Sequence, residues 1–353
     1  MHMPSPSPIA VIGAGLAGVT CARTLHLAGL PVVVFEQRDT AGGRMTSGRV
    51  GCTTVDDGAQ FFTARSQAFR ALLSEAQIAG AVDTWKPRVV DIDPQTLAPA
   101  AIAKIDEAWY VGTPRMNGLV RFMARGLDLR VATSVTQIRR IKAGFTLAGQ
   151  VQSLCQSLGT FQQVVVATPA AQAHTLLAPS AAASDPALVS ALAAVRVDPC
   201  YALRLYFEHA LPCKFDVVRS GGPVLAWCAR DCSKPGREPQ TGQYWVAHAN
   251  ADWARAQRER GTTPASADQA AQEASIAHDL REAFGRTVDP TPPQLAELHY
   301  FSQAKTRTPA ATPFLLSTDR RLGVAGDYML GARVEAAFES GLALASAMQG
   351  TSR

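Results

Sequence analysis

Long apolar runs, runs of one charge sign and matched cysteine pairs are all missing from this 353-residue chain. No apolar stretch approaches the roughly 20 residues of a membrane-spanning helix, so no membrane partner is expected. Charged residues make up 18% and the net charge is +5, carried by scattered arginines without interleaved aromatics, which argues against nucleic acid as a partner. Seven cysteines, an odd number, include one close pair, Cys228 and Cys232, at C-x3-C with no second pair to complete a zinc site. We therefore expect no metal, and free thiols in a reducing compartment. The opening MHMPSPSP lacks the basic segment of a secretion signal, so Met1 to Ser7 reads as a loose tail on a cytoplasmic protein. With 47% hydrophobic residues, the chain has the composition of one large or two interleaved globular domains.

What is present begins with VIGAGLAG. The run IAVIG predicts a buried strand ending at Gly13, LAGVTCARTLHLAG a helix closing at Gly29, and PVVVFE a second strand. In such a βαβ unit Gly13 permits the tight turn, Gly15 lets the backbone approach a pyrophosphate, and Gly18 lets helix and strand pack closely. Glu36, followed by Gln37, ends the second strand where a carboxylate accepts from ribose hydroxyls. NAD, NADP and FAD all use this spacing, and a glycine turn without function is the competing reading. Downstream, Gly42 and Gly43 allow another close backbone approach, and Arg44 offers a planar fork of donors.

Further along, LRVATSVTQIRRI alternates like a strand pair, and VVVATP, Val164 to Pro169, reads as another strand. RLGVAGDYMLGARVEAAFESG predicts a short strand, a Gly-Asp turn and a helix whose N-terminus favours anions. Residues 251–286 read as two helices around GTTPAS, DPTPPQ as a rigid connection, and PSAAASDPA as a loop. No Ser/His/Asp set or carboxylate pair stands at persuasive spacing, and a second GxGxxG and a CxxC are both missing, against a disulfide reductase.

EQRDTAGGRM and the late Gly-Asp segment resemble the flavin-dependent amine oxidase superfamily. The resemblance implies an α/β fold in which a Rossmann-like FAD-binding domain is interleaved with an α+β substrate domain, as in the amine oxidase and p-hydroxybenzoate hydroxylase topology. It divides the chain into 1–66, 108–180 and 305–353 for FAD, and 67–107 with 181–304 for substrate. FAD would be held by Gly13, Gly15, Gly18, Glu36, Gln37, Gly43, Arg44, Gln60, Phe61, Val135, Gly326, Asp327, Arg333 and Val334, with Glu335 nearby. In that pattern Val135 lies over the adenine and Asp327 takes the ribityl hydroxyls. No cysteine follows Cys232, so the FAD is expected to be non-covalent.

DDGAQFFTAR, WCARDCSKPGR and YWVAHANADW narrow the resemblance to the renalase-like family. That implies oxidation of isomeric dihydronicotinamide dinucleotides, the 2- or 6-dihydro forms of NAD(P), with O2 as acceptor. Gln60, Trp227 and His248 would be its catalytic residues, although Trp227 and His248 also read as ordinary core side chains. Arg230 and Arg237 suit either substrate phosphates or plain surface charge, and Lys305 has no flank that marks it as a flavin lysine. HYFSQAKTRTP and Tyr328 depart from the family pattern. A flavin amine oxidase acting on a small amine is the nearest alternative, followed by an aromatic hydroxylase and a non-enzymatic scaffold.

Overall fold

The computed structural model describes residues 7–51, 53–92, 99–179, 185–237, 242–260 and 266–349. The expected tail lies outside the described residues except for Ser7, as does most of GTTPAS. Of PSAAASDPA, residues 180–184 lie outside as well, and the final Pro-Ala opens a helix, Pro186–Ala194, with proline in its first turn.

A six-stranded sheet runs in the order Leu315–Leu316, Leu322–Val324, Gln163–Val166, Ile9–Ile12, Val32–Phe35, Asp128–Arg130. Every pairing is parallel except the outermost, Leu315–Leu316 with Leu322–Val324. The three central strands are buried at all four positions, which explains their unbroken apolar sequence: parallel strands are covered on both faces. Helices Leu16–Leu27 and Val334–Gln349 share one core cluster with Val11, Val34 and Val165. The other face packs on a three-stranded antiparallel sheet, Thr133–Ile141, Gly144–Val151 and Leu154–Phe161. LRVATSVTQIRRI therefore divides between two sheets instead of forming a hairpin, and Ala132 turns the corner at φ 49°.

A seven-stranded sheet has the order Leu295–Thr308, Arg196–Phe207, Gln243–Ala249, Leu225–Arg230, Val217–Ser220, Val89–Ile92, Pro99–Ile102. It is antiparallel except where Val217–Ser220 meets Val89–Ile92. Alternation gives it two faces. Leu203, Leu205, Trp245, Ala247 and Cys228 pack against Ile276, Leu280 and Phe284 of the helix Ser266–Thr287. Their neighbours Ala202, Arg204, His248 and Trp227 point the other way, and Trp227 and Ala229 join the core cluster under the first sheet. The chain passes between the two sheets repeatedly, so the fold is a mixed α/β architecture with a Rossmann-like βαβ start.

Candidate functional site

The cradle at the first strand end is made of backbone. Gly13 has φ +103°, and a Cβ there would lie 2.8 Å from the Ala167 carbonyl oxygen. A Cβ on Gly18 would fall 2.0 Å from the Gly13 carbonyl oxygen, and one on Gly43 would reach 3.1 Å from Gly15 Cα. The two glycine turns thus face each other with only backbone between them. Gly15 caps the helix Leu16–Leu27 without a side-chain acceptor, leaving first-turn N–H groups for an anion. Buried Glu36 accepts from Ala14 N at 2.8 Å and from Arg38 N at 3.0 Å, while Gln37 is exposed.

Two buried polar atoms near this cradle have no hydrogen-bond partner, the Thr168 hydroxyl and Asn117 Oδ1. Thr168 N would stand 3.3 Å from a Cβ on Gly13, and Asn117 Cβ 2.8 Å from one on Gly42. An unpaired hydroxyl donor and amide acceptor bordering a glycine-lined space fit a ligand with phosphates and sugar hydroxyls, so the residues present suit a dinucleotide.

At the far end of the chain, the Asp327 carboxylate is ion-paired with Arg44, whose guanidinium also donates to the Ala304 carbonyl at 3.4 Å. Gly326 N donates to Ser340 Oγ at 3.0 Å, which ties the turn to the last helix. Val334 begins that helix half-buried, and Arg333 just before it is exposed. Val135 is half-buried at a bulge in its strand and packs on the core between the first sheet and the three-stranded one. Glu335 is otherwise engaged: its Oε1 accepts from Arg65 N at 2.9 Å and Ser66 N at 2.6 Å, holding the start of the helix Gln67–Ile78. Lys305 points into solvent.

A second group of residues forms an aromatic wall. Register places His248 and Trp227 side by side across the seven-stranded sheet. Phe61 stacks on Trp109 with centroids 3.8 Å apart and lies 5.4 Å from Trp227. The Trp227 indole N–H is buried and unpaired. His248 Nε2 lies 2.8 Å from the Asp57 carbonyl oxygen, which can only accept, so Nε2 carries the hydrogen. Burial pulls the His248 imidazole down to about 4, leaving it neutral near pH 7. The Asp57 carboxyl has one unpartnered oxygen, with the other 3.4 Å from Arg204; burial pushes it up to about 6 against the pull of that guanidinium.

Beneath the wall lies a buried ionic cluster that sequence reasoning missed. The Lys234 ammonium is fully buried and lies 3.2 Å from Asp56, 2.9 Å from Asp231 and 3.2 Å from Gln60 Oε1. Arg237 pairs with Asp56 and donates to the carbonyls of Gly112 and Pro114 at 3.0 and 2.9 Å. Burial raises the Asp56 carboxyl, but Lys234 and Arg237 outweigh it and hold the group below its usual range; at Asp231 burial prevails. Gln60 Nε2 donates to the carbonyls of Asp56 and Gly58, so all the polar contacts of its carboxamide are internal. Arg230 pairs with Asp216, which also holds Arg88. Arg230 and Arg237 are partners of interior carboxylates, so neither is a plain surface charge, and the Nε of each is buried without a hydrogen-bond partner. The only hint in sequence was the adjacency of Asp56 and Asp57 to apolar neighbours.

The parallel sheet and its glycine cradle define a dinucleotide-binding fold. Residues 100–349 match the flavin containing amine oxidoreductase family, and residues 11–76 match the NAD(P)-binding Rossmann-like domain. The chain belongs to the flavin containing amine oxidoreductase family, and FAD is the cofactor that this membership brings.

Among curated proteins it is 43% identical over 70 residues to a putative flavin-containing monoamine oxidase of Mycobacterium tuberculosis, covering 20% of this chain and 15% of that one. It is 40% identical over 67 residues to putrescine oxidase of Kocuria rosea, covering 19% and 14%. The matched stretches are thus a small part of either relative. Among solved structures, a putrescine oxidase triple mutant superposes at TM-score 0.68 with 12% identity over 98% of this chain and 99% of that one. Cyclohexylamine oxidase of Brevibacterium oxydans gives 0.68 with 13% identity over 99% and 100%. At these identities the likeness is one of fold.

Proposed function

We propose that the protein is an FAD-dependent oxidase of the renalase type, converting 2- or 6-dihydro-NAD(P) to NAD(P)+ while O2 and a proton become H2O2. The observation that carries this reading is the buried, unpaired indole N–H of Trp227 on an aromatic wall. A flat dihydropyridine ring suits that wall, and its carboxamide oxygen is an acceptor for the orphan donor. The neutral amine that a flavin oxidises has no carboxamide, and its nitrogen lone pair goes into the C=N bond that forms, so it is the poorer acceptor for that donor. Bound FAD supplies the hydride acceptor and the route of electrons to oxygen.

This chain's residues then have limited tasks. Gly13, Gly15, Gly18 and Gly43 admit the dinucleotide, with Glu36 for a ribose and Thr168 for a phosphate. Arg44 and Asp327 neutralise one another at the ribityl end. Phe61, Trp109 and Trp227 orient the substrate ring and exclude water, while neutral His248 keeps positive charge away from a reaction that produces a pyridinium. Hydride transfer from a dihydropyridine needs no general base, so the internal commitment of Gln60 suits support of the wall better than contact with substrate. The cofactor region comprises 1–66, 108–180 and 305–353 in this reading, although the strand Leu295–Thr308 carries its pairing with Arg196 through to Thr308.

The alternative, oxidation of a small amine, draws on the family and on the same aromatic wall. Anaerobic mixing of the yellow protein with purified 2-, 4- and 6-dihydro-NAD and with a panel of amines separates the two. Rapid bleaching by a 2- or 6-dihydro isomer, slow bleaching by ordinary NADH and none by amines is the expected result; bleaching by amines alone overturns it.

A further inference from the structure

Two stretches set apart in the sequence, DDGAQFFTAR and WCARDCSKPGR, meet in the buried ionic cluster. Asp56 and Gln60 come from the first, Asp231, Lys234 and Arg237 from the second, and 178 residues separate Lys234 from Asp56. Each stretch also supplies one aromatic of the wall, Phe61 next to Gln60 and Trp227 four residues before Asp231. A fully buried ammonium with three oxygen partners is costly to build, and every partner here lies beside the wall.

We propose that Lys234 is a positioning residue: its ammonium clamps the Gln60 carboxamide and the Asp56–Asp231 pair together, holding the Phe61 loop against the Trp227 strand so that the wall has one spacing. The clamp has two ends. Gln60 Oε1 is taken by Lys234 and its amide nitrogen by two loop carbonyls, so the carboxamide cannot turn, and the next residue carries the ring that stacks 3.8 Å from Trp109. On its other side the Lys234 ammonium lies 5.6 Å from the centroid of the Trp85 ring, which is itself 5.8 Å from Trp109. The lysine therefore supports the aromatic set from beneath without entering it. This inference rests on the proposed reading that Phe61 and Trp227 face the ligand.

Removing the lysine alone strands a buried carboxylate, so the test uses the charge-balanced Asp231→Asn/Lys234→Met pair in FAD-loaded protein, with Gln60→Met breaking the clamp from its other end. We expect FAD content to be retained and the limiting rate of flavin reduction, per bound flavin, to fall about ten- to a hundredfold, the scale set by ångström misplacement of a reacting ring. Gln60→Met is expected to lower the rate similarly and to add nothing further in the double variant. A wild-type rate per bound flavin, or a crystal structure of the double variant with Phe61 still 3.8 Å from Trp109, overturns the proposal. Should the lysine variant fail to take up FAD, Gln60→Met decides, and a wild-type rate there overturns it. If amines but no dihydronicotinamide bleach the wild-type flavin, the substrate reading fails and the comparison runs with the amine; if nothing bleaches it, the crystallographic spacing decides.

Discussion

The two sheets make their halves of the site from different materials. Under the six-stranded sheet the cradle is backbone, local in sequence: Gly13, Gly15 and Gly18 fall within six residues, and Glu36 ends the next strand. Along the seven-stranded sheet the wall is side chains gathered from afar, with 191 residues between His248 and the Asp57 carbonyl that it meets. The first half should therefore fail when volume is added and tolerate a change of charge. The second should respond to charge and hydrogen bonding through groups that burial has shifted.

The largest effect is expected from Gly18→Ala. Its Cβ would lie 2.0 Å from the Gly13 carbonyl oxygen and 3.1 Å from the Ala167 Cβ, with backbone fixed on both sides. We expect a loss on the order of 3 kcal/mol and little bound FAD, read from thermal unfolding and from the ratio of flavin to protein absorbance. A yellow variant with wild-type unfolding would break the comparison at its first term.

Next comes the pH response of the wall. His248 titrates at about 4 in the folded chain against an ordinary 6.5. Between those values the unfolded chain binds a proton that the folded chain refuses, so this residue makes stability rise with pH from about 4 to 6.5. Asp57 is the reverse: its folded value of about 6 lies above the ordinary 3.8, so stability falls as pH climbs through that window. Each contribution is on the order of 2 kcal/mol after discounting for partial exposure and coupling, and between pH 4 and 6 they offset one another. Denaturant unfolding across pH 4 to 6.5 should show Asp57→Asn gaining stability with rising pH relative to wild type, and His248→Asn losing it. Parallel curves for all three proteins would remove burial as the governing feature.

This difference in materials also explains what the sequence reveals. The βαβ unit is legible because each part is dictated by neighbours: strands buried on both faces are unbroken apolar runs, and the φ of +103° at Gly13 suits glycine almost alone. The late Gly-Asp turn is legible for the same reason. Trp227 and His248 could be placed on strands, yet only register shows that they are neighbours. Asp231 stands three residues before Lys234, but nothing near SKPG says that this pair is buried or that Asp56 joins it from 178 residues earlier. The carboxylate partners of Arg230 and Arg237 were hidden in the same way, since a charged side chain gives no sign of an interior partner until the fold brings Asp216 or Asp56 to it. The sequence places Glu335 near the Asp327 turn but gives no sign that its carboxylate accepts from the start of another helix.

A smaller and more selective effect is expected from Trp227→Phe. It leaves a six-membered aromatic ring facing Phe61 and removes the unpaired N–H together with the five-membered half of the indole. If that donor meets a carboxamide, kcat/KM for a dihydronicotinamide should fall about five- to tenfold, corresponding to roughly 1 kcal/mol for a lost hydrogen bond. For an amine that the wild type does oxidise, the loss should be smaller, set by the reduced ring area alone. Equal losses on both substrate classes would mean that the N–H supports the wall and takes no part in choosing the ligand.

The smallest effect, Glu335→Gln, tests the comparison from the side of the cradle. Burial raises the Glu335 carboxyl, but the Ser66 and Arg65 N–H groups outweigh it and hold the group below its usual range. The glutamine keeps one oxygen for those donors and removes the charge, so the expected loss near pH 7 is about 0.5–1 kcal/mol. A carboxyl with a lowered folded value stabilises above its ordinary range and loses that contribution as pH falls through the folded value, so wild type and variant should converge in acid. Denaturant midpoints at pH 7 and pH 3 measure both points. A loss larger than the His248 and Asp57 contributions would show charge governing the backbone-built half as well, and the distinction between the two sheets would then be one of distance in sequence alone.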